Sequence, residues 1–159
     1  MLGNTITRAM TVCGNARVIL INSREMVDDA IRIHHLSPTA AAALGRTLTA
    51  ASMIGVMLKN KDDTVTVSFN GDGVCGKILA VADYYGNTKG YVEHPEADLP
   101  LNARGKLDVA GAVGRSKMQV AVELPGAVEA KAVKARAFTA GTVERSRTAI
   151  NIVIGGQTT

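Results

Sequence analysis

Between Ser37 and Leu58 the chain carries an alanine-rich stretch that leaves it few ways to fold. Leu44, Leu48, Ala51, Gly55 and Leu58 recur at helical spacing and mark one continuous apolar face. Ala40, Ala41, Ala42, Ala43, Ala50 and Gly55 keep this helix thin, so other elements can approach its backbone closely. Ser37-Pro38 supplies an N-cap and the first helical position, where proline is favoured. A helix this apolar either crosses a membrane or lies inside a core. Arg46, Thr47, Thr49 and Ser52 interrupt it at mid-depth, which favours the core.

The flanking segments say what that core contains. Residues 5–22 read as two extended runs around Gly14-Asn15, a good turn pair. A short amphipathic helix over 23–35 follows, with Ser23 placed as its N-cap and Glu25, Asp28 and Asp29 near its start. After the polar break Lys59–Asp63 the period changes to two. Val65, Val67 and Phe69 alternate with Thr66 and Ser68, then come the turn Gly71-Asp72-Gly73 and the apolar run Ile78–Ala82. Gly86-Asn87 makes another turn before a strand at Lys89–Glu93, and Pro95, Pro100 and Gly105 mark an irregular connection. The expected fold is α+β: a sheet of antiparallel strands packed with two consecutive helices, about 23–35 and 38–58, in a single domain. A chain of 159 residues suits one such domain. Composition shifts near Lys117, beyond which lie stretches such as GAVEAKAVKARAFTAG.

Several function classes find little support in the residues. The net charge of +4 is spread rather than clustered, with 13 basic against 11 acidic residues up to 117 and 5 against 3 beyond. With three Tyr, two Phe and no Trp, the chain lacks the basic, aromatic footprint of a nucleic-acid binder. Gly71-Asp-Gly73-Val-Cys-Gly76 satisfies G-x-G-x-x-G, but a dinucleotide site needs a helix to begin there. The next residues, KILAVADYYGN, are too few and too β-like, so these glycines read as hairpin glycines permitting positive φ. His34 and His35 are adjacent and diverge by about 100° on a helix, so with His94 they make no metal pair. Cys13 and Cys75 stand 62 residues apart without a CxxC spacing, which argues against zinc and, for a chain without a signal peptide, for a reducing cytoplasm. No nucleophile elbow is present, and the acid pairs Asp28/Asp29 and Asp62/Asp63 suit capping and solvation. The expectation is a protein that is not an enzyme, with no catalytic, cofactor or metal residue.

An ordered series of segments carries more information than any of these motifs. EMV at Glu25–Val27, SPTAAAALGRTLTA at Ser37–Ala50, MLK at Met57–Lys59 and GDG at Gly71–Gly73 are followed by ADYYGNTKGYV at Ala82–Val92 and LPLNARGKLDVAGAVG at Leu99–Gly114. Together they resemble the N-terminal core domain of the redox-regulated bacterial heat-shock chaperones, the thirty-three-kilodalton holdases. The resemblance implies an ATP-independent, cytoplasmic holdase core that binds unfolded client proteins under heat or oxidative stress, with room for a homodimer. It implies no nucleic acid and no membrane as partners. Full-length members hold zinc in a C-terminal four-cysteine module that forms disulfides on oxidation.

The chain departs from that pattern in three places. Val74-Cys75 stands where a proline-containing turn is expected. Residues 118–159 do not resemble the family, ending in AGTVERSRTAINIVIGGQTT where a DLG-type turn, a strand and an acidic helix are expected. The four-cysteine module has no counterpart. The organisation expected is therefore a chaperone-like core over 1–117 and a divergent segment over 118–159, truncated or frame-shifted after about Met118, with the zinc switch missing. The client-binding residues are not identified by the sequence. Two other readings stand beside this one: a small nucleotide-binding enzyme using the Gly71–Gly76 turn, and an inactive, self-associating fragment. A helix starting near Gly76 would favour the former.

Overall fold

The computed structural model describes residues 5–123, together with the backbone of residues 145–146 and 149–150. The chain opens with an antiparallel hairpin of β1 (Thr5–Met10) and β2 (Arg17–Asn22), paired so that Ile6 faces Ile21 and Ala9 faces Val18. Two helices follow, α1 (Arg24–His34) and α2 (Pro38–Gly55). Next come β3 (Thr64–Gly71), β4 (Lys77–Asp83), β5 (Thr88–Val92), a one-turn helix α3 (Val109–Val113) and β6 (Ser116–Glu123). The four later strands form an antiparallel sheet in the order β5-β4-β3-β6. Short pieces β7 (Arg145–Ser146) and β8 (Ala149–Ile150) pair with each other. The architecture is the α+β arrangement expected, with α2 laid across one face of the sheet.

The face of α2 read from the sequence is the one the fold buries. Leu44 and Ala51 are fully enclosed, and Leu48 and Leu58 nearly so. Against them lie the alternate residues Val65 and Val67 of β3, Ile78, Ala80 and Ala82 of β4, Val92 of β5 and Val120 of β6. Thr66, Ser68, Leu79, Val81 and Tyr91 project from the opposite face, as strand alternation requires. Each buried leucine contributes about 2 kcal/mol of hydrophobic stabilisation, so the sheet–α2 contact dominates the domain.

Small residues set the closest approaches. A Cβ on Gly55 would run into the carbonyl oxygen of Asp83, and one on Gly45 would stand 3.0 Å from Val27 Cγ1. α2 ends at Gly55 rather than at Leu58 because the chain tightens there: Met57 N donates to Ile54 O and Leu58 N to Gly55 O, both at 2.9 Å, as three-residue turns. The two expected N-caps differ. Ser37 caps α2 as expected, its Oγ accepting from Ala40 N at 3.1 Å. Ser23 occupies the capping position of α1 without capping: its backbone (φ −104°, ψ 14°) is not the extended conformation that aims a side-chain oxygen at the first turn, and its Oγ lies 2.9 Å from the Thr49 hydroxyl.

The glycines of the β3–β4 turn need a correction as a group. Gly76 has positive φ (+62°), but Gly71 and Gly73 do not. They are glycines because α3 packs against them: a Cβ on either would collide with the carbonyl of Val113 or Ala112. Cys75 N donates to Ala112 O at 2.9 Å in the same contact. The residues after Gly76 form β4, so the helix that a dinucleotide site requires does not start there.

Residue 117, where the composition shifts, lies inside β6. Residues 118–123 continue that strand alongside β3, with Met118 opposite Phe69 and Val120 opposite Val67. The alanine-rich stretch 126–141 lies outside the described residues.

Candidate functional site

The hairpin β1–β2 is the part of the fold whose sequence is least satisfied by burial. Its second strand carries the unbroken run Val18-Ile19-Leu20-Ile21, so apolar side chains project from both faces of a two-stranded ribbon. Only one face can lie against the helices. Leu20 is 61% exposed, Met10 58%, and Val12 at the tip stands wholly in solvent. Helix α1 repeats the pattern, with Ile33 65% exposed. Scattered exposed leucines are ordinary on protein surfaces; here Val18 and Leu20 share one face of the ribbon, while Met10 lies on the other face with Ile6, Ile19 and Ile21.

Between these elements runs an open groove of about 600 Å³. Ile6 and Ile21 of the hairpin form one wall, Met26 and Ile33 of α1 another, and Leu48 of α2 reaches its floor. The opposite side is β5, through Thr88, Lys89 and Gly90, and the β4–β5 turn closes one end with Tyr85 and Gly86. Asp29, His34 and Lys89 supply its charged and titratable groups. Asp29 is engaged by Arg32 at 2.8 Å. The volume falls within the range of sites that take a ligand or several peptide side chains.

Hydrogen bonds fix the groove's geometry. The Thr88 hydroxyl donates to Met26 Sδ at 2.7 Å, joining β5 to α1. Ser52 of α2 donates to Gly86 O at 2.6 Å. Gly86 has φ +85°, and a Cβ there would come within 2.6 Å of Ile6 Cδ1 and 2.8 Å of Val56 Cγ1, so only glycine lets the turn tuck beneath the hairpin. Asp83 holds the same turn, accepting from Tyr85 N, Asn87 N and Asn87 Nδ2 at 2.8–2.9 Å.

The residues weighed for chemistry do not come together. His34 is half-buried at the groove, His35 caps α1 in the left-handed region with φ 52°, and His94 lies 3.8 Å from Glu96. Among the described residues no three His, Cys, Asp or Glu side chains cluster as metal ligands would. Cys13 is exposed near the hairpin tip, where hydrogen bonding with the Thr11 hydroxyl and with the backbone at Asn15 holds its thiol below the ordinary range. Cys75 is fully enclosed beside α3, and burial pushes its thiol up. No described helix is long and apolar enough to cross a membrane.

Of the groove residues, Met26 and Ile33 follow from the helical spacing of the 23–35 segment, whereas Ile6 and Ile21 are not singled out by motif or spacing. The signal for Ile21 is the four-residue apolar run of β2, which breaks the alternation of a strand that buries a single face, and Ile6 is its cross-strand partner.

Comparison with known proteins places this arrangement. The family model described as Hsp33 protein matches residues 4–145. A relative from Ruminiclostridium cellulolyticum, a 33 kDa chaperonin, is 45% identical over 119 residues, covering 75% of this chain and 41% of the relative. The 33 kDa chaperonin of Acetivibrio thermocellus is 44% identical over 119 residues, covering 75% of this chain and 40% of its own length. Among solved structures, the 33 kDa chaperonin of Thermotoga maritima superposes with a TM-score of 0.76 at 31% identity, over 80% of this chain and 43% of that one. The chain thus spans about two fifths of the length of the curated relatives it matches.

Proposed function

Because the chain belongs to the Hsp33 family, we propose that it is the core of an ATP-independent holdase, one that captures unfolding proteins in the cytoplasm. The groove walled by Ile6 and Ile21 of the hairpin and by Met26 and Ile33 of α1, with Leu48 at its floor, is the observation that supports this reading. A protein that is losing its structure exposes apolar side chains. A stable apolar surface on another molecule removes them from water, at roughly 25 cal/mol per Å² of apolar area covered. No reaction is required of such a surface.

A four-cysteine redox centre needs thiols in pairs. This chain has two cysteines, one exposed on the hairpin and one enclosed beside α3. We therefore expect client capture that does not depend on oxidation. The test is light scattering of a thermally unfolding model enzyme mixed with the chain, with and without peroxide. Suppression of scattering in both conditions is the expected result. Scattering unchanged in both would refute the holdase reading, and a strict peroxide requirement would refute oxidation-independent capture and point to the thiols of Cys13 and Cys75.

A further inference from the structure

We propose that the groove binds its guest as an added antiparallel strand on the free edge of β5, and that the preferred guest alternates apolar residues with acidic ones. The inference rests on the chaperone reading and specifies how its client would be held.

The first observation is the edge itself. Among the described residues, β5 pairs with β4 on one side and with no strand on the other. Glu93 N donates to Lys77 O at 2.8 Å and Asp83 N to Asn87 O at 3.1 Å, which sets the phase of the ladder. Residues 87, 89, 91 and 93 turn their backbone groups towards β4. Those of Thr88, Gly90 and Val92 therefore face the open edge. Thr88 and Gly90 also line the groove. A row of outward amides and carbonyls thus runs along an apolar cleft, which is the arrangement that takes up an extended peptide by strand addition.

The second observation is which side of the guest would meet which surface. In an antiparallel addition, guest residues that bond to Gly90 or Thr88 place their side chains on the same sheet face as those two. That face is the one towards α2 and the groove, where Ile6, Met26, Ile33 and Leu48 wait. Gly90 cannot obstruct it: a Cβ there would collide with Leu79 O and stand 3.0 Å from Leu48 Cδ2. The intervening guest residues fall on the outer face, beside Lys89. Among the described residues no carboxylate pairs with Lys89. A carboxylate on the guest would complete that cross-strand pair, and a lysine would be repelled. Lysine on an edge also discourages pairing between two copies of the same strand.

Blocked synthetic peptides test the proposal on the intact chain by titration calorimetry. The parent alternates valine with glutamate. One derivative is N-methylated at the valines, whose amides would point to β5, and another at the glutamates, whose amides would point away. A third peptide replaces glutamate by lysine. The valine-methylated peptide should bind at least about tenfold more weakly, as loss of two or more backbone hydrogen bonds implies. The glutamate-methylated one should stay within about twofold of the parent, and the lysine peptide should bind at least about threefold more weakly. Absent binding, equal responses to the two methylations, or lysine binding as well as glutamate would overturn strand addition in this form. Aggregation suppression by the same preparation separates the two levels. If suppression persists while strand addition fails, the holdase reading stands and only its binding mode falls.

Discussion

Gly86 concentrates three demands at one residue: a positive φ, a backbone carbonyl for Ser52, and room for Ile6 and Val56. Gly86→Ala should lower stability by about 2 kcal/mol in urea unfolding, because left-handed backbone and overpacking act together. The two cysteines make the opposite pair. At mildly alkaline pH, Cys13 should be alkylated well before Cys75, since its thiol is exposed and held below the ordinary range while Cys75 is enclosed. Mass spectrometry of the alkylated chain reads this directly. The raised thiol of Cys75 has a stability consequence with a definite sign. Its contribution is complete below the unfolded pKa, and is lost as pH rises through the higher folded value. Cys75→Ala should therefore flatten part of the decline in stability at alkaline pH.

At the level of elements, the lesson is where periodicity suffices and where it does not. The α2 face, the hairpin of β3 and β4, and the order of helices and strands follow from spacing because each buries one face, and burial imprints a period. The same logic fails for α3. Five residues are too short to establish a helical period, and its role is to back the glycines of a turn more than thirty residues earlier. Gly71 and Gly73 were therefore read as conformational glycines when they are contact glycines, a distinction that needs the position of α3. β6 was obscured for another reason: it begins where the composition changes, and its partner β3 is distant in sequence. Ser23 shows that a good capping residue type caps only when its backbone takes the extended conformation that turns its oxygen back on the first turn. The end of α1 provides a test. His35 holds φ 52° without being glycine, and His35→Gly should raise stability by about 1 kcal/mol, measured as a shift in the urea midpoint.

For the molecule as a whole, the buried core and the proposed binding surface are segregated. The sheet and α2 share the buried leucines and valines, whereas the groove is walled by a hairpin and a helix that leave much of their apolar surface in water. Amide exchange should be slowest in β3, β4 and α2 and fastest in β1 and β2, since a two-stranded ribbon adds little protection of its own. Changes at the rim should then affect capture more than folding. Ile33→Glu is expected to change stability by less than about 0.5 kcal/mol while reducing aggregation suppression several-fold, with urea unfolding and light scattering run on the same sample.

The strand that borders the groove is tethered to α2 at both ends. Before it, Ser52 holds the Gly86 carbonyl. After it, Ser37 N donates to Pro95 O at 2.8 Å, the Ser37 hydroxyl donates to Ala97 O, and the Thr39 hydroxyl donates to Asp98 Oδ1. A segment stretched between two anchors on one rigid rod has little freedom left to lose. An arriving chain would meet a template already in order, so the entropy lost on association would come almost entirely from the guest. Chains that are already extended and loosened would be held more tightly than compact ones, and that alone would let the surface tell a failing protein from a folded one.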